Sequence, residues 1–190
     1  MHNALNYLTA LAFGFSAGWS LTTMVNNLAG FTGLAHRCQR VESKDGITWI
    51  NDSKATNVGA TIAAIKGLAQ TLTSQGRTSQ ADTKQHLILI AGGDGKGADF
   101  TPLVEPLEQY VSQVITLGKD GDKIAALVGD TNNASKVTSL IEAVQVAKAN
   151  AKAGDIVLLS PACASLDMFK NFSERGEQFI TAVTQLSEAS

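Results

Sequence analysis

The sequence predicts an α/β fold, a mainly parallel sheet covered by helices on both faces, and three observations carry that expectation. Short unbroken apolar runs recur at Leu87–Ile90, Val114–Leu117 and Ile156–Leu159; runs of that length without alternation belong to strands buried on both sides. Between them lie segments whose apolar residues return every three or four positions, so strand and helix alternate as in βαβ units. Apolar residues make up 44% of the 190 positions, enough for a packed core. Right-handed crossovers then make the sheet doubly wound and Rossmann-like, with a β-hairpin near its start and a small N-terminal helical extension.

Taken in order, Leu5, Leu8, Ala12 and Phe15 mark one face of a first helix, which must pack on something. Ser20 caps a second helix carrying Leu21, Met24, Val25 and Leu28, stopped near Gly30. Residues 38–51 read as two strands around Lys44-Asp45-Gly46, the Asp-Gly pair being a hairpin signal. A helix with Val58, Ile62 and Ile65 inward follows and ends near Gly67; residues 69–85, rich in Gln, Ser and Thr, read as a long surface loop. After the strand at Leu87 come a short helix beyond Asp99, the strand at Val114 and a helix from about Asp120 to Val128. Ser139 and Glu142 form a capping box for a helix to about Ala151. The strand at Ile156 leads to a last helix from Glu174 that buries Phe179, Ile180, Val183 and Leu186.

Composition excludes several classes of function. A net charge of −2 without a basic run leaves no nucleic-acid footprint. Cys38 and Cys163 lack the neighbours of a metal cluster and are too few for a secreted disulfide scaffold, so both read as reduced, buried thiols of a cytoplasmic protein. The apolar opening stretch has no Lys or Arg before it and is interrupted by Asn6, Thr9 and Ser16, so neither a signal peptide nor a membrane partner is expected.

Ligands of open α/β sheets bind beyond the carboxyl ends of the strands. Three such ends carry unusual loops, 51–57, 91–97 and 160–166, which a parallel sheet would open on one edge. In the first, Lys54 and Thr56 precede a helix N-terminus, a setting that favours an anion, and Asp52 can accept hydrogen bonds. In the second, Gly92 to Gly97 allows close backbone approach around the single cation Lys96, but its spacing is not that of a triphosphate-binding loop. In the third, the small residues Ala162 to Ser165 expose backbone amides beside a hydroxyl, and Phe172 can wall the pocket. Each has a plainer reading alone: Thr56 or Asn57 caps the helix, the glycines make a turn, and Phe172 packs in the core. No nucleophile–base pair stands out. The set looks like a receiver for a small dianion.

Asn51-Asp52-Ser53-Lys54-Ala55-Thr56-Asn57, Gly92-Gly93-Asp94-Gly95-Lys96, Leu158 to Asp167 and Phe169 to Gly176 resemble the Mur ligase family, and within it the branch that adds D-glutamate to UDP-N-acetylmuramoyl-L-alanine in peptidoglycan synthesis. His2 to Asn6 resembles the end of that family's central ATPase domain, and Gly33 to Arg37 the start of its third domain. The likeness covers nearly the whole chain apart from residues 69–85. It implies a helical remnant over 1–35 and a glutamate-binding α/β domain over 36–190. It also implies an ATP-dependent carboxylate–amine ligase working with Mg2+. By matching positions, Thr56, Lys96, Ser165, Phe172 and the Leu166 backbone would hold D-glutamate. Asn3, Asn6, Arg37 and Asp52 would contact the nucleotide, Lys54 would lie near the transferring phosphate or the incoming glutamate, and His36 near the reacting centre. The family's uridine-nucleotide domain and phosphate-loop domain have no counterpart here, and Met1 before His2 reads as a misplaced start inside a helix. The chain alone is therefore expected to hold no metal, bind no cofactor tightly and catalyse nothing. The competing readings are a non-catalytic Rossmann-like module for nucleotides or small anions, and a stable piece without affinity.

Overall fold

The computed structural model describes residues 2–31, 33–74, 86–129 and 134–188. Two compact units divide the chain, Met1–Leu34 and Ala35–Ser190. The first contains α1 (His2–Ser16) and α2 (Leu21–Leu28). Ser20 caps α2 through the amide of Thr23, as its position suggests. The expectation that the apolar face of α1 is partly buried fails within this unit: Leu8 and Phe15 are exposed, as are Phe13, Trp19, Leu21 and Val25. Two short helices have only one shared seam in which to hide side chains. No Asp, Glu, Lys or Arg occurs before Arg37, so these apolar residues share the surface with no fixed charge.

The second unit is the α/β domain. Its strands are β1 (Gln39–Val41), β2 (Thr48–Asn51), β3 (Leu87–Gly92), β4 (Gln113–Leu117), β5 (Ala134–Lys136) and β6 (Ile156–Leu159), and its helices are α3 (Val58–Ser74), α4 (Val104–Tyr110), α5 (Gly121–Ala125), α6 (Leu140–Asn150) and α7 (Phe172–Glu188). The sheet order is β1-β2-β6-β3-β4-β5. β1 runs antiparallel to β2, which is the expected hairpin, and the remaining pairs are parallel. Successive side chains of a strand face opposite ways, so Leu87 and Leu89 join Ile65, Leu107 and Ile124 under α3–α5, while Ile88 and Ile90 join Trp49, Val144 and Phe179 under α6 and α7. This is the doubly wound sheet that the apolar runs imply.

Local chemistry fixes the elements. Asp45 accepts from the Ile47 amide (2.9 Å), the Trp49 indole (3.2 Å) and the Lys148 ammonium (2.6 Å), tying the hairpin turn to α6. Ser139 receives the Glu142 amide at 3.2 Å, and the Glu142 carboxylate reaches back to the Thr138 amide at 2.8 Å, a capping exchange shifted by one residue.

The structure corrects several boundaries. α3 does not stop near Gly67 but continues to Ser74, because Leu68, Ala69 and Leu72 extend the buried stripe begun by Ile65. That packing outweighs the roughly 1 kcal/mol that a mid-helix glycine costs. Residues 69–74 are thus helical rather than loop, and 75–85 lie outside the described residues. β5, a short and half-exposed edge strand, escaped the apolar pattern. α7 begins at Phe172 rather than Glu174. Among the described residues no helix is long and apolar enough to cross a membrane.

Candidate functional site

Because β6 lies between β2 and β3, the three strand-end loops are neighbours, and hydrogen bonds join them. Asp52 N donates to Leu159 O (2.8 Å), Ser160 N to Ile90 O (3.2 Å) and Gly92 N to Pro161 O (2.9 Å). Asp94 and Ala164 exchange both backbone bonds, at 3.0 and 2.9 Å. Lys96 and Ser165 are therefore within two residues of a shared backbone bridge. Gly93 makes this approach possible: at φ +126° a Cβ there would lie 2.3 Å from Ala164 O.

Each loop displays its polar group differently. Lys96 is exposed, with a left-handed backbone (φ +53°) held by its amide's bond to Asp94 Oδ1 at 2.9 Å. Ser165 is buried, and its carbonyl accepts from the Met168 and Phe169 amides, while Leu166 points outward. In the first loop Asn57, not Thr56, caps α3, through the Ala60 amide at 2.9 Å; Thr56 is half-buried. Lys54 places its ammonium 4.4 Å from the centre of the Phe172 ring, a cation–π contact, and the His36 ring meets that same ring edge-on at 6.1 Å.

His36 is buried in a tightly specified setting. Asn51 accepts the Ser53 amide with its oxygen (3.1 Å) and donates from its nitrogen to Gly176 O (3.2 Å), which fixes the amide's orientation. The same nitrogen lies 3.0 Å from His36 Nδ1, so Nδ1 accepts and Nε2 carries the proton, toward Glu177 Oε1 at 3.4 Å. A Cβ on Gly176 would stand 2.2 Å from Nδ1.

Asp52 is also buried, accepting from Cys38 N (3.2 Å) and Ser160 Oγ (2.9 Å). Burial pushes its carboxyl above the usual range, and the Ser160 and Cys38 bonds and the attraction of Arg37 offset this only in part. Arg37 itself is exposed. Cys38 is exposed as a residue, against the expectation of a buried thiol, yet desolvation and then Asp52 raise its thiol to about 12. Cys163 is buried, and burial followed by the Asp120 charge raises it to about 12 as well. Neither is a ready thiolate. Asn3 and Asn6 lie on α1 in the first unit, where Asn6 is exposed and the Asn3 side chain falls outside what is described.

Sequence reasoning assigned no role to the group that ties the site together. Arg175, on α7, is 2% exposed. Its guanidinium donates to Ser53 Oγ (2.9 Å), Ser53 O (2.8 Å) and Cys163 O (3.2 Å), bridging the first and third loops. Ser53 Oγ in turn donates to Phe172 O at 2.7 Å. The rim thus carries the Lys54 and Lys96 cations and the Thr56 and Ser165 hydroxyls on a braced frame, which suits a small molecule bearing carboxylates.

The sequence profile of the Mur ligase glutamate ligase domain matches residues 36–163, about two thirds of the chain. The UDP-N-acetylmuramoylalanine–D-glutamate ligase of Colwellia psychrerythraea is 66% identical over 96% of this chain, and that of Pseudomonas putida 50% over 98%. The chain spans 36% and 39% of those relatives' lengths. Among solved structures, the UDP-N-acetylmuramate-alanine ligase of Thermotoga maritima superposes with a TM-score of 0.64 at 18% identity, over 98% of this chain and 38% of that one. The MurF ligase of the same organism, in complex with ADP, gives 0.60 at 16%, over 94% and 37%. These likenesses show a common fold. With the profile laid over the first two rim loops and the start of the third, the chain belongs to the Mur ligase family, through its glutamate ligase domain.

Proposed function

We propose that this chain supplies the D-glutamate-binding part of an ATP-dependent ligase that joins D-glutamate to UDP-N-acetylmuramoyl-L-alanine in the cytoplasm. Lys96 pairs with one carboxylate of D-glutamate, Ser165, Thr56 and the Leu166 amide receive the other, and Phe172 walls the pocket. Lys54, steered by the Phe172 ring, neutralises charge near the transferring phosphate. Arg37 and Asp52 contact the nucleotide, a role that the family likeness alone also gives to Asn3 and Asn6, and His36 fixes the backbone beside Lys54 by accepting that residue's amide at 3.0 Å. In the reaction the alanyl carboxylate becomes an acyl phosphate at the expense of ATP, the D-glutamate amine attacks its carbonyl carbon, and inorganic phosphate leaves. The chain's own contribution is positioning and charge stabilisation. Mg2+ accompanies ATP in this reading; no group of three His, Cys, Asp or Glu stands together among the described residues, so the ion is assigned no ligand here. Residues 1–35 are read as the end of the nucleotide-hydrolysing domain, a reading supported by the uncharged and exposed apolar surface of α1 and α2.

The observation that carries the proposal is the Asp94–Ala164 bridge, which holds the Lys96 and Ser165 loops side by side. An NMR titration tests it. D-glutamate is expected to shift the Thr56, Lys96 and Ser165 amides and L-glutamate to leave them unmoved; a response to free nucleotide alone would favour the simple nucleotide-binding module. The chain by itself is expected to turn over neither ATP nor ligation product.

A further inference from the structure

The loop that presents Lys96 has no regular structure of its own, so its conformation depends on what grips it. On the β6 side the grip is the Asp94–Ala164 bridge. On the β4 side it is the turn between β4 and α5. Asp120 Oδ2 accepts the Gly95 amide at 2.8 Å, and the Asp120 amide donates to Gly93 O at 2.9 Å, so one residue holds the glycine loop at two points. Gly118 (φ +76°) lets this turn pass beneath the loop, since a Cβ there would lie 2.8 Å from Gly93 Cα. Asp120 is 5% exposed, and its other oxygen is occupied by Lys123 Nζ at 2.7 Å. The Lys119 amide donates to Asp167 Oδ2 at 2.9 Å, which fastens the same turn to the third loop.

We propose that Asp120 is a positioning residue for substrate capture: it does not touch D-glutamate but holds Gly95 so that Lys96 keeps the left-handed backbone that aims its ammonium. The inference rests on the reading of Lys96 given above. It follows from the geometry of the bond. Gly95 N is the donor immediately before Lys96, and the carboxylate that receives it is itself immobilised by burial and by Lys123. Hydrogen bonds from the Lys123 ammonium and then from the Gly95 amide hold the Asp120 carboxyl below its ordinary range, so the brace stays ionised at neutral pH.

The test compares the chain with Asp120→Ala, Asp120→Asn and Lys123→Met, using D-glutamate as the probe and the Lys96 and Ser165 amide shifts as the readout. Asp120→Ala is expected to weaken binding about tenfold or more, and Asp120→Asn, which keeps an acceptor for Gly95 N, to recover most of the loss. Lys123→Met, which removes one of the two supports of the carboxylate but keeps the acceptor for Gly95 N, is expected to weaken binding by less than Asp120→Ala does; a loss as large as that of Asp120→Ala would assign the effect to the ion pair and overturn the inference. Wild-type affinity in Asp120→Ala, or an Asn variant as weak as the Ala variant, overturns the inference. If the parent chain itself ignores D-glutamate, the substrate reading falls, and amide exchange in the ligand-free chain still decides the brace: faster exchange of Gly95 and Lys96 in Asp120→Ala upholds it, and unchanged exchange refutes it.

Discussion

Arg175 is a charge enclosed among neutral oxygens. Burial lowers its pKa to about 10, which still leaves it protonated at neutral pH. Replacing it with Met would strand Ser53 O and Cys163 O, each at about 1–3 kcal/mol for a buried acceptor left unpaired. Arg175→Met is accordingly expected to lose about 3 kcal/mol in urea unfolding. Arg175→Lys should regain little, since one ammonium cannot span two carbonyls as a guanidinium does. Asp52 behaves in the opposite sense. Its folded pKa is raised, so the folded state holds the proton more firmly and the cost of ionising it appears as pH rises through the unfolded and then the folded value. Asp52→Asn keeps an acceptor for Cys38 N and can donate to Ser160 Oγ. It is expected to stabilise the fold at pH 7, with the gain vanishing below the ordinary aspartate range; equal stability of the two proteins at every pH would contradict that. These two residues also mark where sequence reading reaches its limit. Lys54, Thr56, Lys96 and Ser165 can be singled out as candidates from the sequence because each sits in a strand-end loop, and the structure places them there. Arg175 sits within an amphipathic helix, where an arginine reads as solvated, and its burial arises only when Ser53, 122 positions away, is folded against it.

At the scale of elements, α7 joins core and site. Phe179 is fully buried against Trp49, ring centres 6.0 Å apart, and three residues earlier Gly176 abuts His36. Phe179→Ala should cost about 3–5 kcal/mol, whereas Gly176→Ala should cost about 1–3 kcal/mol by overpacking while displacing the His36 ring. Histidine chemical shifts separate the two, because only the second variant should move the His36 signals. Strand positions were legible because β3, β4 and β6 are buried on both sides and so are apolar throughout. The end of α3 was misjudged because Gly67 is a stop signal that tertiary packing overrides, and β5 was missed because an edge strand of three residues carries too little pattern. Asp120 reads locally as no more than the start of a helix; its bond to Gly95 joins separate loops and leaves no trace in either segment.

The molecule as a whole is divided in chemistry as well as in contacts. Uncharged apolar surface is concentrated before Arg37, whereas the α/β unit buries its hydrophobic residues in two full layers. Large exposed apolar patches drive association, so the full chain is expected to sediment with a concentration-dependent mass, while residues 35–190 alone should remain monomeric and unfold cooperatively. A monomeric full chain at high concentration would count against this. The order of the sheet has a consequence for biosynthesis. The strand that fills its centre is the last to be synthesised: Thr48 finds Ile156, and until that residue emerges from the ribosome the flanks of β2 and β3 have no partner there. A nascent chain halted earlier would expose two sticky ribbons with nothing between them, a template for aggregation and a target for proteases. Closing a loop of that length is slow, so the rim can take shape only after β6 has left the ribosome and slid between its two neighbours.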